Sequence, residues 1–221
     1  MVFPRTAEIA KRGHLSGQGA VQIVSLEPQT VVETSGTKAS STVGFFPDWS
    51  FEAHVGLGRC ETGLVFVDFG VLAEMRCGLL RQDHGDALSI AFSGAAGAAI
   101  SFAGGLGPAA RLGIDISGRV SPGVEPLVDV YLSSARQSHF VQTGWVNDPV
   151  VAPSGDAMGR QEIRLTIPIG VAFAPDPKTR FIVGFEPWFV LANTSHIEVD
   201  PVVRSYTTGY GFAFTLGLAF R

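Results

Sequence analysis

Large apolar residues alternate with small or polar ones through most of the 221-residue chain. At the C-terminal end Tyr210, Phe212, Phe214, Leu216, Leu218 and Phe220 alternate with Gly211, Ala213, Thr215, Gly217 and Ala219. A period of two puts successive side chains on opposite faces and is the mark of a β-strand. The same period predicts ten strands, at 14–26, 49–58, 62–69, 71–81, 87–99, 107–120, 124–135, 160–173, 180–191 and 207–220. No stretch of ten residues or more carries a convincing helical period. The uncharged run 87–110 is long enough for a membrane-spanning helix, but its glycines, Pro108 and alternating first half favour two strands and a turn.

The connections sort by length. Those at Arg59–Glu61, 81–86, 121–125 and 175–179 are short, and all fall at one end of an up-and-down array. The long ones, 27–48, 136–159 and 193–206, fall at the other end. Both chain termini belong to the short-turn end.

Composition decides which face of each strand is wet. Charged residues make up only 16% of the chain and hydrophobic ones 46%, against about 25% charged in an average soluble domain. A soluble β-sandwich or lipocalin-like barrel is the rival fold. It would turn its apolar row inward and carry Lys, Glu and Gln outside, yet strands 87–99 and 207–220 offer only Gly, Ala, Ser and Thr there. The predicted fold is therefore all-β, an up-and-down antiparallel transmembrane barrel of about ten strands. Hydrocarbon tolerates only helices or closed sheets, because an unpaired backbone group there costs several kcal/mol.

In that arrangement the apolar row faces lipid and charge faces the lumen. The expected lumen set is Glu52, His54, Asp68, Glu74, Arg76, Arg111, Asp115, Arg119, Glu125, Asp129, Glu162, Arg164, Arg180 and Glu186. In the third strand this puts Leu64, Phe66 and Asp68 inward and Val65 and Val67 outward. Aromatics near strand ends are expected at the two lipid interfaces: Trp49, Phe69 and Tyr210 by the long loops, and Phe173, Phe181 and Phe220 by the short turns. Residues 1–13 are expected to form an N-terminal periplasmic segment ahead of a barrel spanning 14–221. No apolar leader core stands in residues 1–19; a cytoplasmic protein or a processed chain accounts for that equally.

The whole pattern resembles the small outer-membrane β-barrel proteins of Gram-negative bacteria. The last strand is similar to their C-terminal assembly signal, with alternating aromatics, although Phe220 is penultimate and Arg221 follows. The resemblance implies an outer-membrane location, a lipid bilayer around the chain and contact with the assembly machinery through the last strand. It implies little about activity.

Chemistry is sparsely signalled. The net charge of −4, with no basic run, argues against nucleic acid. No nucleophile, phosphate-loop or metal-ligand spacing is present, so no catalytic residue, metal or cofactor is expected. The expectation is a structural barrel or a narrow, mostly occluded channel for small polar solutes, its lumen filled by Arg–carboxylate pairs. An open pore is the alternative. Omptin-like proteolysis by His139, Asp148, Asp156, His196 and Asp200, lipid modification by Ser138-His139, and adhesion through Phe45-Phe46-Pro47 and the 139–155 loop are weaker alternatives. Cys60 and Cys77 are expected to be two inert thiols, with a single bridge as the alternative.

Overall fold

The structure, a computed structural model, describes residues 3–25, 30–32, 38–40, 45–67, 70–101, 105–139, 158–176, 178–193 and 210–220. In chain order the strands are β1 (Leu15–Ser25), β2 (Thr30–Val32), β3 (Lys38–Ser40), β4 (Phe45–Gly56), β5 (Cys60–Val67), β6 (Gly70–Leu80) and β7 (Ser89–Ser101). They continue with β8 (Gly105–Ser117), β9 (Val124–His139), β10 (Met158–Thr166), β11 (Ile169–Phe173), β12 (Thr179–Asn193) and β13 (Tyr210–Phe220). Each barrel strand pairs antiparallel with its neighbours, and β13 returns to β1 through Gly17–Phe220 to Val24–Ala213, closing the cylinder. Closure leaves the barrel sheet without an edge.

All ten expected strands are present. One is broken: β10 and β11 both lie between β9 and β12 and form a single stave interrupted at Ile167–Pro168. Proline cannot donate to a ladder. Two backbone groups at the interruption stay paired: Ile167 N donates to the Pro187 carbonyl and the Pro168 carbonyl accepts from Asp129 N. The long first loop carries an extra small hairpin, β2–β3. The 87–110 run is the β7–β8 pair, and no helix among the described residues is long and apolar enough to cross a membrane.

Burial follows the two-residue period. In β6 Val71, Ala73 and Met75 are exposed, while Leu72, Glu74 and Arg76 are buried. Leu216 is 68% exposed and Val21, its partner across the β1–β13 ladder, 60%, whereas Glu74, Asp115 and Asp129 are almost fully buried. This inside-out distribution rules out the soluble sandwich. Strand β5 is turned over relative to the sequence expectation: Glu61 and Val65 are buried and Leu64 is 47% exposed. The reason is electrostatic, because this register brings the Glu61 carboxylate inside to Arg76.

Cys60 and Cys77 face each other across the β5–β6 ladder and are joined by a disulfide. The expectation of inert thiols is thereby corrected. Direct cross-strand partners, here with Cα atoms 4.0 Å apart, are near enough to bridge in an oxidising compartment.

The other correction concerns the N-terminal segment. Phe3 to Ala10 are all buried. They run inside the barrel rather than forming a separate periplasmic piece, and the chain turns at Lys11–His14 to enter β1.

Two outcomes check this fold. Leu216→Arg, at mid-span on the outer face, should cost about 2–4 kcal/mol, read as a lowered urea midpoint for unfolding from liposomes. Reductant should lower the wild-type midpoint by an amount equivalent to about 3 kcal/mol and leave a Cys60→Ser/Cys77→Ser variant unmoved.

Candidate functional site: a charged lumen closed by residues 3–10

The lumen is built by inward residues of β1, β4, β6, β8, β9 and β12, with the N-terminal segment on its axis. At mid-height lies Arg5, 1% exposed. Its Nη1 donates to Glu52 Oε2 at 3.0 Å and Glu74 Oε2 at 2.8 Å. Its Nη2 donates to Glu74 Oε1 and Ser93 Oγ, both at 3.0 Å, and its Nε to Asp115 Oδ1 at 3.2 Å. All five guanidinium hydrogens thus have acceptors, the condition under which a buried charge is tolerated. The Arg5 backbone N–H donates to Asp129 Oδ2 at 2.9 Å. The Tyr131 ring stands 5.2 Å from the Arg5 guanidinium and 5.1 Å from that of Arg111, within cation–π range.

Wall-to-wall pairs surround this centre. Arg111 Nη2 meets Glu74 Oε1 at 2.7 Å, His54 Nε2 meets Glu74 Oε2 at 2.9 Å, and Arg76 Nε meets Asp115 Oδ2 at 3.0 Å. Arg76 also pairs with Glu61, and the Tyr131 hydroxyl donates to Asp115. His54 on β4 reaches Glu74 on β6 across Gly63 of β5, the register partner of both. A Cβ at Gly63 would stand 2.6 Å from His54 Cδ2, so only glycine leaves that contact open.

Toward the short-turn mouth the segment is held in the same way. Thr6 Oγ1 donates to Glu125 Oε1 at 2.7 Å, Ser117 Oγ accepts from Ala7 N at 3.0 Å, and Glu61 Oε2 accepts from Ala10 N at 2.8 Å. Glu8 pairs with Arg119 and, at 2.8 Å, with Arg180 Nη2. Above Arg5, Gln18 Nε2 donates to the Pro4 carbonyl at 2.8 Å. The Pro4 ring lies where a side chain at Gly184 would be, and a Cβ there would overlap it. Nearer the long loops, Gln22 and Thr215 both bond Glu186, and Arg164 lies 4.5 Å from the Trp188 ring.

The structure therefore places Glu52, His54, Glu74, Arg76, Arg111, Asp115, Glu125, Asp129, Arg180 and Glu186 inside, buried. Arg164 is half-buried. Arg119 stands at the short-turn mouth, its side chain 47% exposed. Asp68 and the Glu162 side chain lie outside the described residues. Of the aromatics, Trp49 and Tyr210 are exposed on the outer face near the long loops, and Phe173, Phe181 and Phe220 near the short turns. Phe69 lies outside the described residues, as do Asp148, Asp156, His196 and Asp200 and the side chains of Ser138 and His139. Sequence reasoning missed Arg5, Thr6, Glu8, Glu61 and Tyr131. One signal was present: the expected lumen set holds eight carboxylates against five arginines, a deficit of positive charge that Arg5 partly fills.

No family model matches the sequence, and no curated protein matches it. Solved structures do. An outer membrane channel from Pseudomonas putida F1 is similar at 13% identity over 100% of this chain and 99% of that one, with a TM-score of 0.51. The outer membrane protease OmpT of Escherichia coli is similar at 9% identity over 97% and 99%, with a TM-score of 0.43. Neisserial surface protein A is similar at 9% identity over 93% and 96%, with a TM-score of 0.36. The closed antiparallel cylinder, its apolar outer belt and its charged interior are those of an outer-membrane β-barrel protein.

Glu74→Ala would leave Arg5, Arg111 and His54 without their shared partner. The expected loss is about 3–5 kcal/mol, the cost of breaking a buried ion pair from one side, measured by urea unfolding in liposomes. A loss under about 1 kcal/mol would show that the network does not hold the lumen together.

Proposed function

We propose that this barrel is a narrow channel for small polar solutes, held closed by its own residues 3–10. The observation that carries the reading is the way that segment is attached. It joins no barrel strand pairing. It is held by side chains, with Asp129, Ser117 and Glu61 accepting its backbone N–H groups and Gln18 and Arg76 donating to its carbonyls. Such bonds are exchangeable with water, which meets the same donors and acceptors when a segment withdraws. The lining supports the reading too. A lumen of ionised side chains suits hydrated polar solutes and repels apolar ones. The reading assigns no catalytic step to the barrel.

Reconstituted wild-type protein should be mostly silent in planar bilayers. Arg5→Ala should give discrete conductance steps and an open probability raised roughly tenfold or more, the factor that ~1.4 kcal/mol of lost closed-state stability produces. Silence in both would mark a plugged scaffold instead.

A further inference from the structure

Three side chains in the lumen have the chemistry of a metal site. The donor atoms of Glu52, His54 and Glu74 all lie within 4.8 Å of one another, and all three residues are buried. Glu52 and His54 project from the same face of β4, two residues apart, and Glu74 comes from β6 across Gly63. Two carboxylates and one imidazole suit a divalent first-row ion such as zinc. Metal–ligand bonds of about 2.0–2.2 Å need the donors within roughly 4 Å of each other, so binding requires the glutamates to draw in.

A cation is already bound there. Arg5 Nη1 sits on Glu52 Oε2 and Glu74 Oε2 together, the same Glu74 oxygen that meets His54 Nε2. The guanidinium thus takes two of the three donors. The wall alone is also under-neutralised at this height. Among the described residues Glu52, Glu74, Asp115 and Asp129 surround Arg5, and the wall arginines bonded to this group are Arg76, on Asp115, and Arg111, on Glu74. Asp115 and Asp129 are direct register partners, both fully buried, and Asp129 Oδ1 has no hydrogen-bond partner among the described residues. With the segment out, a wall of this charge attracts counter-cations or takes up protons.

We infer that Glu52, His54 and Glu74 form a binding site for a divalent transition-metal cation, which Arg5 occupies in the closed barrel and vacates when residues 3–10 withdraw. The inference rests on the reading of that segment as displaceable. It makes Arg5 an internal competitor: metal and plug exclude one another, and the metal favours the open barrel.

The test is zinc chloride titrated calorimetrically into full-length protein in detergent micelles. Arg5→Ala should bind zinc roughly 100-fold more tightly than wild type, the factor expected when a competitor holds the site about 99% of the time. Gly184→Leu is the second variant. It displaces Pro4 and the adjoining Arg5 by bulk, changes no charged residue, and should also tighten zinc binding. Adding Glu74→Gln or His54→Ala to Arg5→Ala should abolish that gain. Equal zinc affinity in wild type and both displaced variants, or a gain that survives His54→Ala and Glu74→Gln, overturns the inference. Conductance of the same proteins separates the two ideas. An open Arg5→Ala channel without zinc binding removes the metal site and leaves the channel reading. Tight zinc binding by a silent Arg5→Ala barrel does the reverse.

Discussion

The interior of this barrel depends on one ion cluster, the guanidinium of Arg5 among Glu52, Glu74 and Asp115. A cylinder in lipid has to put its charges inside, and the inside is too narrow for bulk water to solvate them all. Each carboxylate must then find a cation or a donor. Arg76 and Arg111 serve part of this demand from the wall. Arg5 serves the centre, arriving on a segment that belongs to no stave. The energetic logic is that of any buried pair: the assembled cluster is tolerated, and removal of one member exposes the desolvation cost of the rest.

The outer belt obeys the opposite constraint. Val21, Val183 and Leu216 lie side by side across β1, β13 and β12 and present an apolar surface that none of the described residues covers. In water such a surface would drive association. In a bilayer it is the solvated state. The same alternation therefore specifies both environments, and the small residues of β7 and β13 keep the inner side from overfilling.

Much of the architecture was legible because the two-residue period is long and the medium enforces it. Ten strands, their order and the side on which long loops fall follow from alternation alone. Strand β5 was misjudged because Val65, Leu64 and Phe66 are apolar on both faces, and only Glu61, at its very start, carried the information. The break at Pro168 was hidden for a related reason: apolar alternation continues from Ile163 to Phe173 straight through it. The segment 3–10 was not legible as an interior element, because an extended stretch held by side chains has no period at all. Its seat is set by tertiary partners, and only the shortage of inward arginine pointed to it.

The seat of Arg5 also fixes an order of events. Its partners lie 47 residues away at Glu52 and 126 at Tyr131, so the pocket that receives it exists only after the sheet has curled far enough to bring β4, β6, β8 and β9 face to face. Contacts this remote in sequence form late. The stretch ahead of the first strand is thus among the last to dock, and the carboxylates at the centre of the lumen gain their arginine only once the cylinder has shut.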